Sequence, residues 1–179
     1  LENGRRWVFN DPRRFGMVSI TRAEPKGGIP VELCAMGPEP LSDAFDGDYL
    51  RHVFRGRKQP VKGLLLNQGI VAGVGNIYAN EILFAAKVHP RTQAGSLSEE
   101  QWQRIVEHTQ ETLNRAIKAG GSSISDFLGT RGQPGWFQLQ LAVYGKKGQP
   151  CPCCRQEVSK EQMGGRATFF CGQCQAPDE

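Results

Sequence analysis

Residues 67–78 read Asn67-Gln68-Gly69-Ile70-Val71-Ala72-Gly73-Val74-Gly75-Asn76-Ile77-Tyr78, and this stretch decides the fold. It reads as the end of one helix, a double glycine-rich turn, and the start of a second helix. Glycine permits positive φ and close backbone approach, which a double turn of this length requires. The first N–H groups of the second helix would then face outward with Asn76 beside them, and that arrangement binds phosphate. The same pattern also describes a tight packing turn in which glycine is needed only for space. The pattern alone leaves both readings open.

Helical signals continue on either side. The pattern turns helical from about Asp46, and Val61 to Asn67 forms a short apolar turn. Asn76 to Ala85 runs at helical period, with Pro90 expected to end it. Further on, Ser98 is an N-cap with Gln101 three residues later, a capping box, and Leu97 with Trp102 supplies the hydrophobic staple. Trp102, Ile105, Val106, Thr109, Leu113, Ala116 and Ile117 mark one face at 3.6 spacing, and Gly120-Gly121 stops the helix. Residues 121–136 are polar and glycine-rich, a long loop of the kind that carries function.

The start of the chain differs. Arg6-Trp7-Val8-Phe9 and Gly16-Met17-Val18-Ser19-Ile20 are short strand-like runs around the turn Asn10-Asp11-Pro12. Gly37-Pro38-Glu39-Pro40-Leu41-Ser42 reads as an extended linker, since two prolines prevent helix.

Near the other end, Cys151, Cys154, Cys171 and Cys174 form C-x₂-C, sixteen residues, C-x₂-C. That spacing suits four thiolates around one tetrahedral Zn²⁺. Gly164-Gly165 followed by Arg166-Ala167-Thr168-Phe169-Phe170 predicts a β-hairpin with Arg166 opening its second strand. So small a hairpin has no apolar core of its own, and the metal supplies its folding free energy. Two disulfides are the alternative in an exported chain. Cys153 reads as a spare thiol, and Cys34, between Leu33 and Ala35, as a buried apolar residue. His52, His89 and His108 stand alone, without metal spacing.

With 179 residues, 39% of them hydrophobic, the chain supports one ordinary core plus a small metal module. A net charge of +4 is modest, so its distribution matters more than its size. Arg51, Arg55, Arg57, Lys58 and Lys62 cluster without an acid, while Glu99, Glu100, Glu107 and Glu111 gather elsewhere. This segregation predicts one positive face and a polyanionic partner. No apolar run reaches membrane-span length and no signal-peptide core opens the sequence, so a reducing cytoplasm is expected.

Taken together, these motifs resemble bacterial formamidopyrimidine-DNA glycosylase, along nearly all 179 residues. The resemblance is carried by Asp11-Pro12-Arg13-Arg14-Phe15-Gly16, Gly37-Pro38-Glu39-Pro40-Leu41, the 67–78 stretch, and Val143-Tyr144-Gly145 with Lys147-Gly148-Gln149-Pro150-Cys151. Gly165-Arg166-Ala167-Thr168-Phe169-Phe170-Cys171 completes it. What it implies is an enzyme of base-excision repair, a DNA glycosylase and AP lyase that removes oxidised purines from double-stranded DNA. Arg13 resembles the arginine that probes the orphaned base, and Phe15 the wedge beside it; together they would fill the hole left by a flipped nucleotide. Arg14, Lys58 and Asn76 resemble phosphate contacts. Arg166 resembles the arginine that grips the phosphates flanking the lesion and serves the second elimination step. The loop 121–136 resembles the one that closes over the flipped base, with Trp136 where tyrosine is common.

The resemblance places the nucleophile on an N-terminal proline, assisted by a glutamate and a lysine. This chain opens Leu1-Glu2, in a register deep inside the family sequence. A fragment is therefore expected, with most of the N-terminal domain missing and no catalysis of its own. The expected fold is α+β and mainly α. Residues 1–36 would be the remnant of a β-sandwich and 37–45 a linker. A helix–two-turn–helix domain would span 46–143 and a zinc hairpin 144–179. A monomer bound to DNA with an oxidised purine or abasic site, in a bacterial cytoplasm near the nucleoid, is expected. The alternatives are the related lyase for oxidised pyrimidines and a non-enzymatic zinc module binding structured nucleic acid.

Overall fold

Side-chain caps open the first and last helices, and glycines end the last helix and turn the hairpin. The structure, a computed structural model, describes residues 33–121 and 140–176 and the single positions 4, 6, 8, 9 and 18. The chain divides into two units, Leu1–Ala35 and Met36–Glu179, and every element below belongs to the second. The strand-like runs at 6–9 and 16–20 lie outside the described residues, isolated positions apart.

Helix α1 spans Gly47–Phe54, capped by Asp46, whose carboxylate accepts from the Tyr49 N–H at 2.7 Å. Helix α2 is Val61–Leu65 and α3 is Asn76–Ala85. The sequence placed the end of α3 at Pro90, but it stops at Ala85. Lys87 turns the chain with φ of 56°, and a backbone leaving the helix this way needs no proline. Helix α4, Glu99–Lys118, opens on the expected capping box: Gln101 N–H donates to Ser98 Oγ at 3.2 Å, and Ser98 N–H to Gln101 Oε1 at 2.8 Å. It ends as a Schellman motif, with Gly121 N–H donating to Ala116 O and Gly120 N–H to Ile117 O.

The buried face of α4 departs from expectation at its far end. Trp102, Ile105, Val106, Thr109 and Ala116 are buried as expected, but Thr112 takes the place of Leu113, which is half-buried. Ile117 is 65% exposed. Thr109 can enter the core because its hydroxyl donates to Ile105 O, satisfying the polar atom within the helix. The main core lies between the helices, with Phe45, Leu50, Phe54, Leu65, Ile82 and Ile105 almost wholly buried. Phe54 and Trp102 meet there at 5.0 Å between ring centroids. Cys34 is exposed rather than buried, because it lies in a turn before the linker and not within a strand or helix.

The double turn is built by side-chain amides. Asn67 Oδ1 accepts from Gly69 N–H at 3.0 Å, and Gln68 Oε1 from Gly73 N–H at 2.8 Å. Gln68 Nε2 donates to Val74 O, and Gly73 takes φ of 75°. The linker is stitched onto this turn, since Gly37 N–H donates to Gln68 O and Ala72 N–H to Pro38 O. A Cβ at Gly37 would lie 2.2 Å from Ile70 O. Gly37→Ala is therefore expected to cost about 1–3 kcal/mol of stability, as overpacking does. A urea midpoint equal to that of the unmodified chain would show that the linker yields instead.

The hairpin is antiparallel, β1 Ser159–Met163 against β2 Arg166–Phe170, with Met163 opposite Arg166. Gly164 and Gly165 have φ of 54° and 74°, the left-handed pair that a two-residue hairpin turn demands.

Candidate nucleic-acid interface

The four cysteines converge as their spacing predicts. Their sulfurs all lie within 4.8 Å of one another, with Cys151 Sγ 3.8 Å from Cys174 Sγ and Cys154 Sγ 3.4 Å from Cys171 Sγ. Tetrahedral Zn–S bonds of about 2.3 Å need sulfurs about 3.8 Å apart, so the cage fits one structural zinc. Each C-x₂-C pair is closed by a backbone turn, Arg155 N–H to Cys151 O and Gln175 N–H to Cys171 O. Cys153 is exposed and outside the cage. Among the described residues no other group of three such ligands is gathered, and the three histidines remain outside any metal site. His89 instead packs edge-on against Phe170, 4.7 Å between centroids.

Five polar side chains dock the hairpin and its flanking segments onto the helical part, and the sequence reading named two of them, Asn76 as a phosphate contact and Lys62 as part of a basic cluster. Lys62, 1% exposed, donates from Nζ to Thr168 Oγ1 at 2.7 Å and to Ala167 O at 3.1 Å. The basic run 51–62 was expected to form one positive face. Its last member instead points inward, because α2 turns Lys62 toward strand β2. Burial, reinforced by the nearby Arg166 charge, pulls its pKa down to about 8. Asn76 Nδ2 donates to the same Ala167 O at 3.0 Å, while its Oδ1 is buried and has no hydrogen-bond partner. Asn80 Oδ1 accepts from Phe169 N–H at 2.7 Å. Gln175 bridges Cys171 N–H and Val88 O.

Glu81, 6% exposed, accepts from three backbone N–H groups, those of Ala142 at 2.6 Å, Val143 at 3.0 Å and Tyr144 at 2.8 Å. It thereby holds the entry to the hairpin. Glu81→Ala would leave these donors without an acceptor, at a cost of at least about 3 kcal/mol. Urea unfolding measures this; a loss below about 1 kcal/mol would mean that water replaces the carboxylate. The signal missed in the sequence was a polar residue set within an otherwise apolar helix, as Asn80 and Glu81 are in α3.

The shared carbonyl of Ala167 ties three features together. It joins Lys62 and the first residue of α3, and it follows Arg166, which is exposed at the strand's start. Helix α3 begins at Gly75 with no side-chain cap, so its first-turn N–H groups are not occupied by a capping side chain. The two readings of the glycine turn thus coincide: it packs closely, and it presents an uncapped helix start beside Arg166. Lys58 is exposed in the α1–α2 connection, and no described hydrogen bond joins it to this group. Arg13, Arg14, Phe15, Trp136 and the loop positions 122–136 lie outside the described residues.

An uncapped helix start behind a double glycine turn, joined to a four-cysteine zinc hairpin, defines the class of helix–two-turn–helix zinc-hairpin proteins. The profile described as the formamidopyrimidine-DNA glycosylase H2TH domain matches residues 36–128, just over half of the chain. Residues 148–177 match the zinc finger found in FPG and IleRS. The chain belongs to the formamidopyrimidine-DNA glycosylase family. It is 48% identical over 175 residues to the formamidopyrimidine-DNA glycosylase of Nitrosococcus oceani, covering 98% of this chain and 64% of that protein. The Stenotrophomonas maltophilia K279a enzyme is 47% identical over the same coverage. Among solved structures, the MutM (Fpg) protein of Thermus thermophilus is similar with a TM-score of 0.77 and 42% identity, over 83% of this chain and 57% of that one. Lactococcus lactis Fpg in complex with abasic-site DNA gives 0.75 and 40%, over 80% and 52%. The chain spans 64% of the length of the curated relatives it matches. No described helix is long and apolar enough to cross a membrane.

Proposed function

We propose that these 179 residues form the DNA-gripping, zinc-bearing part of a base-excision-repair glycosylase and AP lyase that acts on oxidised purines. The observation that carries this reading is the junction at Ala167, where the zinc hairpin delivers Arg166 beside the uncapped start of α3. A guanidinium and helix N–H groups together suit phosphate oxygens. Solved relatives with DNA containing Fapy-dG or an abasic site support the choice of partner.

In this reading Arg166, Asn76, Arg14 and Lys58 hold phosphates around a kinked duplex. Arg13 and Phe15 fill the space left by the flipped nucleotide, and the loop 121–136 covers it. Arg166, set against the flanking phosphates, also steadies charge during elimination. No residue among the 179 resembles the proline nucleophile, so in this reading they bind and distort the DNA and supply Arg166 to the elimination step. Residues 1–36 belong to a β-sandwich, 37–45 to a linker, 46–143 to the helix–two-turn–helix domain and 144–179 to the zinc hairpin. The setting is a bacterial cytoplasm near the nucleoid, and the chain acts as a monomer.

The test is the salt dependence of duplex binding. Arg166→Ala and Lys58→Ala should each reduce the slope of log affinity against log salt by roughly 0.9, the value for one phosphate contact. An unchanged slope removes that residue from the footprint. Abasic-analogue duplex should bind more tightly than intact duplex, because an unpaired position costs less to open. Equal affinity for the two would favour a zinc module that reads nucleic-acid shape without regard to lesions.

A further inference from the structure

We propose that the hollow between Lys147 and Lys160, on the face of the hairpin opposite Arg166, is a further phosphate site for the DNA backbone. The inference rests on the DNA-binding reading above and extends its footprint.

Strand alternation puts Arg166 and Thr168 on one face of the hairpin, toward Lys62. The cross-strand pairs Lys160–Phe169 and Gln162–Ala167 lie on the other face. That face is closed at one end by Phe169, which packs against Tyr144 at 5.0 Å between centroids. At the other end it opens into a hollow of about 400 Å³ lined by Lys147, Lys160, Glu161, Gln162 and Ala167.

Both lysines line it, Lys160 from strand β1 and Lys147 from the turn that precedes the hairpin. Lys160 Nζ sits 5.7 Å from the centroid of the Phe169 ring. Lys147 lies in a turn between Gly145 and Gly148, with φ of 78° and 75°. Gly148 N–H donates to Val158 O, and Val158 N–H to Gln149 O, both at 2.9 Å, which fastens this turn against the approach to β1.

The charge in the hollow is uncompensated. Its one acid, Glu161, is held by Arg91 at 2.6 Å and belongs by alternation to the opposite face. Two lysines therefore line an open hollow that reaches Ala167, one residue from Arg166. Lysines act as point charges with rotatable donors, suited to the oxygens of a continuous phosphate chain rather than to a planar ligand. A duplex held by Arg166 carries further phosphates along the same strand, and such contacts set position rather than sequence.

The experiment measures the salt slope of duplex binding for the full 179-residue chain and two double variants. Lys147→Gln with Lys160→Gln should lower the slope by about 1.8, two phosphate contacts, and weaken binding at low salt. Lys147→Arg with Lys160→Arg should keep the slope. Zinc content and melting temperature should stay unchanged in both, since the two side chains are exposed. A glutamine pair with the slope of the unmodified chain overturns the inference while leaving the DNA reading intact. An arginine pair that loses as much slope as the glutamine pair overturns it too, because charge would not be the cause. No duplex binding by the unmodified chain overturns the functional reading and this inference together.

Discussion

Cys171→Ser is expected to lose zinc and unfold the hairpin while leaving the helices formed. Cys171 is fully buried, and its sulfur is one corner of the four-sulfur cage. Structural zinc in comparable small modules contributes roughly 10–16 kcal/mol in apparent terms at neutral pH. The apolar cluster beneath the hairpin, Phe84, Val143, Val158 and Phe169 with two of the cysteines, is too small to replace that. The helical core has its own larger cluster, so far-UV circular dichroism should keep its helical bands. Elemental analysis should fall from near one zinc per chain to well below it. Amide protection in β1 and β2 should vanish, and a chelator should do the same to the unmodified chain. A zinc-free protein with a protected hairpin would sink the metal assignment.

The second large effect belongs to Lys62, whose pKa is pulled down to about 8 by burial first and by Arg166 second. In the unfolded chain a lysine titrates near 10.4. Below pH 8 both states hold the proton, and the full cost of burying the charge, about 3 kcal/mol, is present. Between pH 8 and about 10.4 the unfolded chain binds a proton that the native chain has lost. Stability from this group therefore rises with pH across that window. Lys62→Met has no proton to lose. The difference in unfolding free energy between the two proteins should change by about 3 kcal/mol from about pH 7 to pH 10.5, toward the unmodified chain. A difference that stays flat would mean that the ammonium is solvated in its native place. If Arg166 holds a DNA phosphate, as proposed above, bound duplex offsets its charge and removes the second cause. The same titration in the presence of duplex should shift toward higher pH.

Local chemistry was legible wherever a few adjacent residues decide the structure. The capping box at Ser98, the glycine stop at 120–121, the Gly164-Gly165 hairpin turn and the cysteine cage need no distant partner, and each can be read from spacing. The end of α3 was less legible, because Lys87 takes a left-handed backbone that glycine would have announced and lysine does not. The docking of the hairpin was not legible at all. Lys62 and Thr168 are 106 positions apart and Asn80 and Phe169 are 89 apart, so neither pair leaves a local pattern. Lys62 looked like part of a charged surface because its neighbours are charged. Only the fold shows that α2 turns it inward.

Docking falls unevenly on the two partners. Asn80 and Glu81 address only backbone N–H groups of the hairpin and the segment before it, and Asn76 reaches a backbone carbonyl. A backbone group persists whatever side chain it carries. Positions 142, 167 and 169 can thus change side chain without breaking these bonds, within the limits of space, whereas Asn76, Asn80 and Glu81 have no substitute of equal reach and polarity. Mutational drift should accordingly be tolerated at those three positions and resisted at Asn76, Asn80 and Glu81, and likewise at Thr168 and Gln175, whose side chains take part in the joint. Grafting a foreign zinc hairpin onto these helices should succeed when its backbone path and the side chains at 168 and 175 are kept, even if little else of its sequence is.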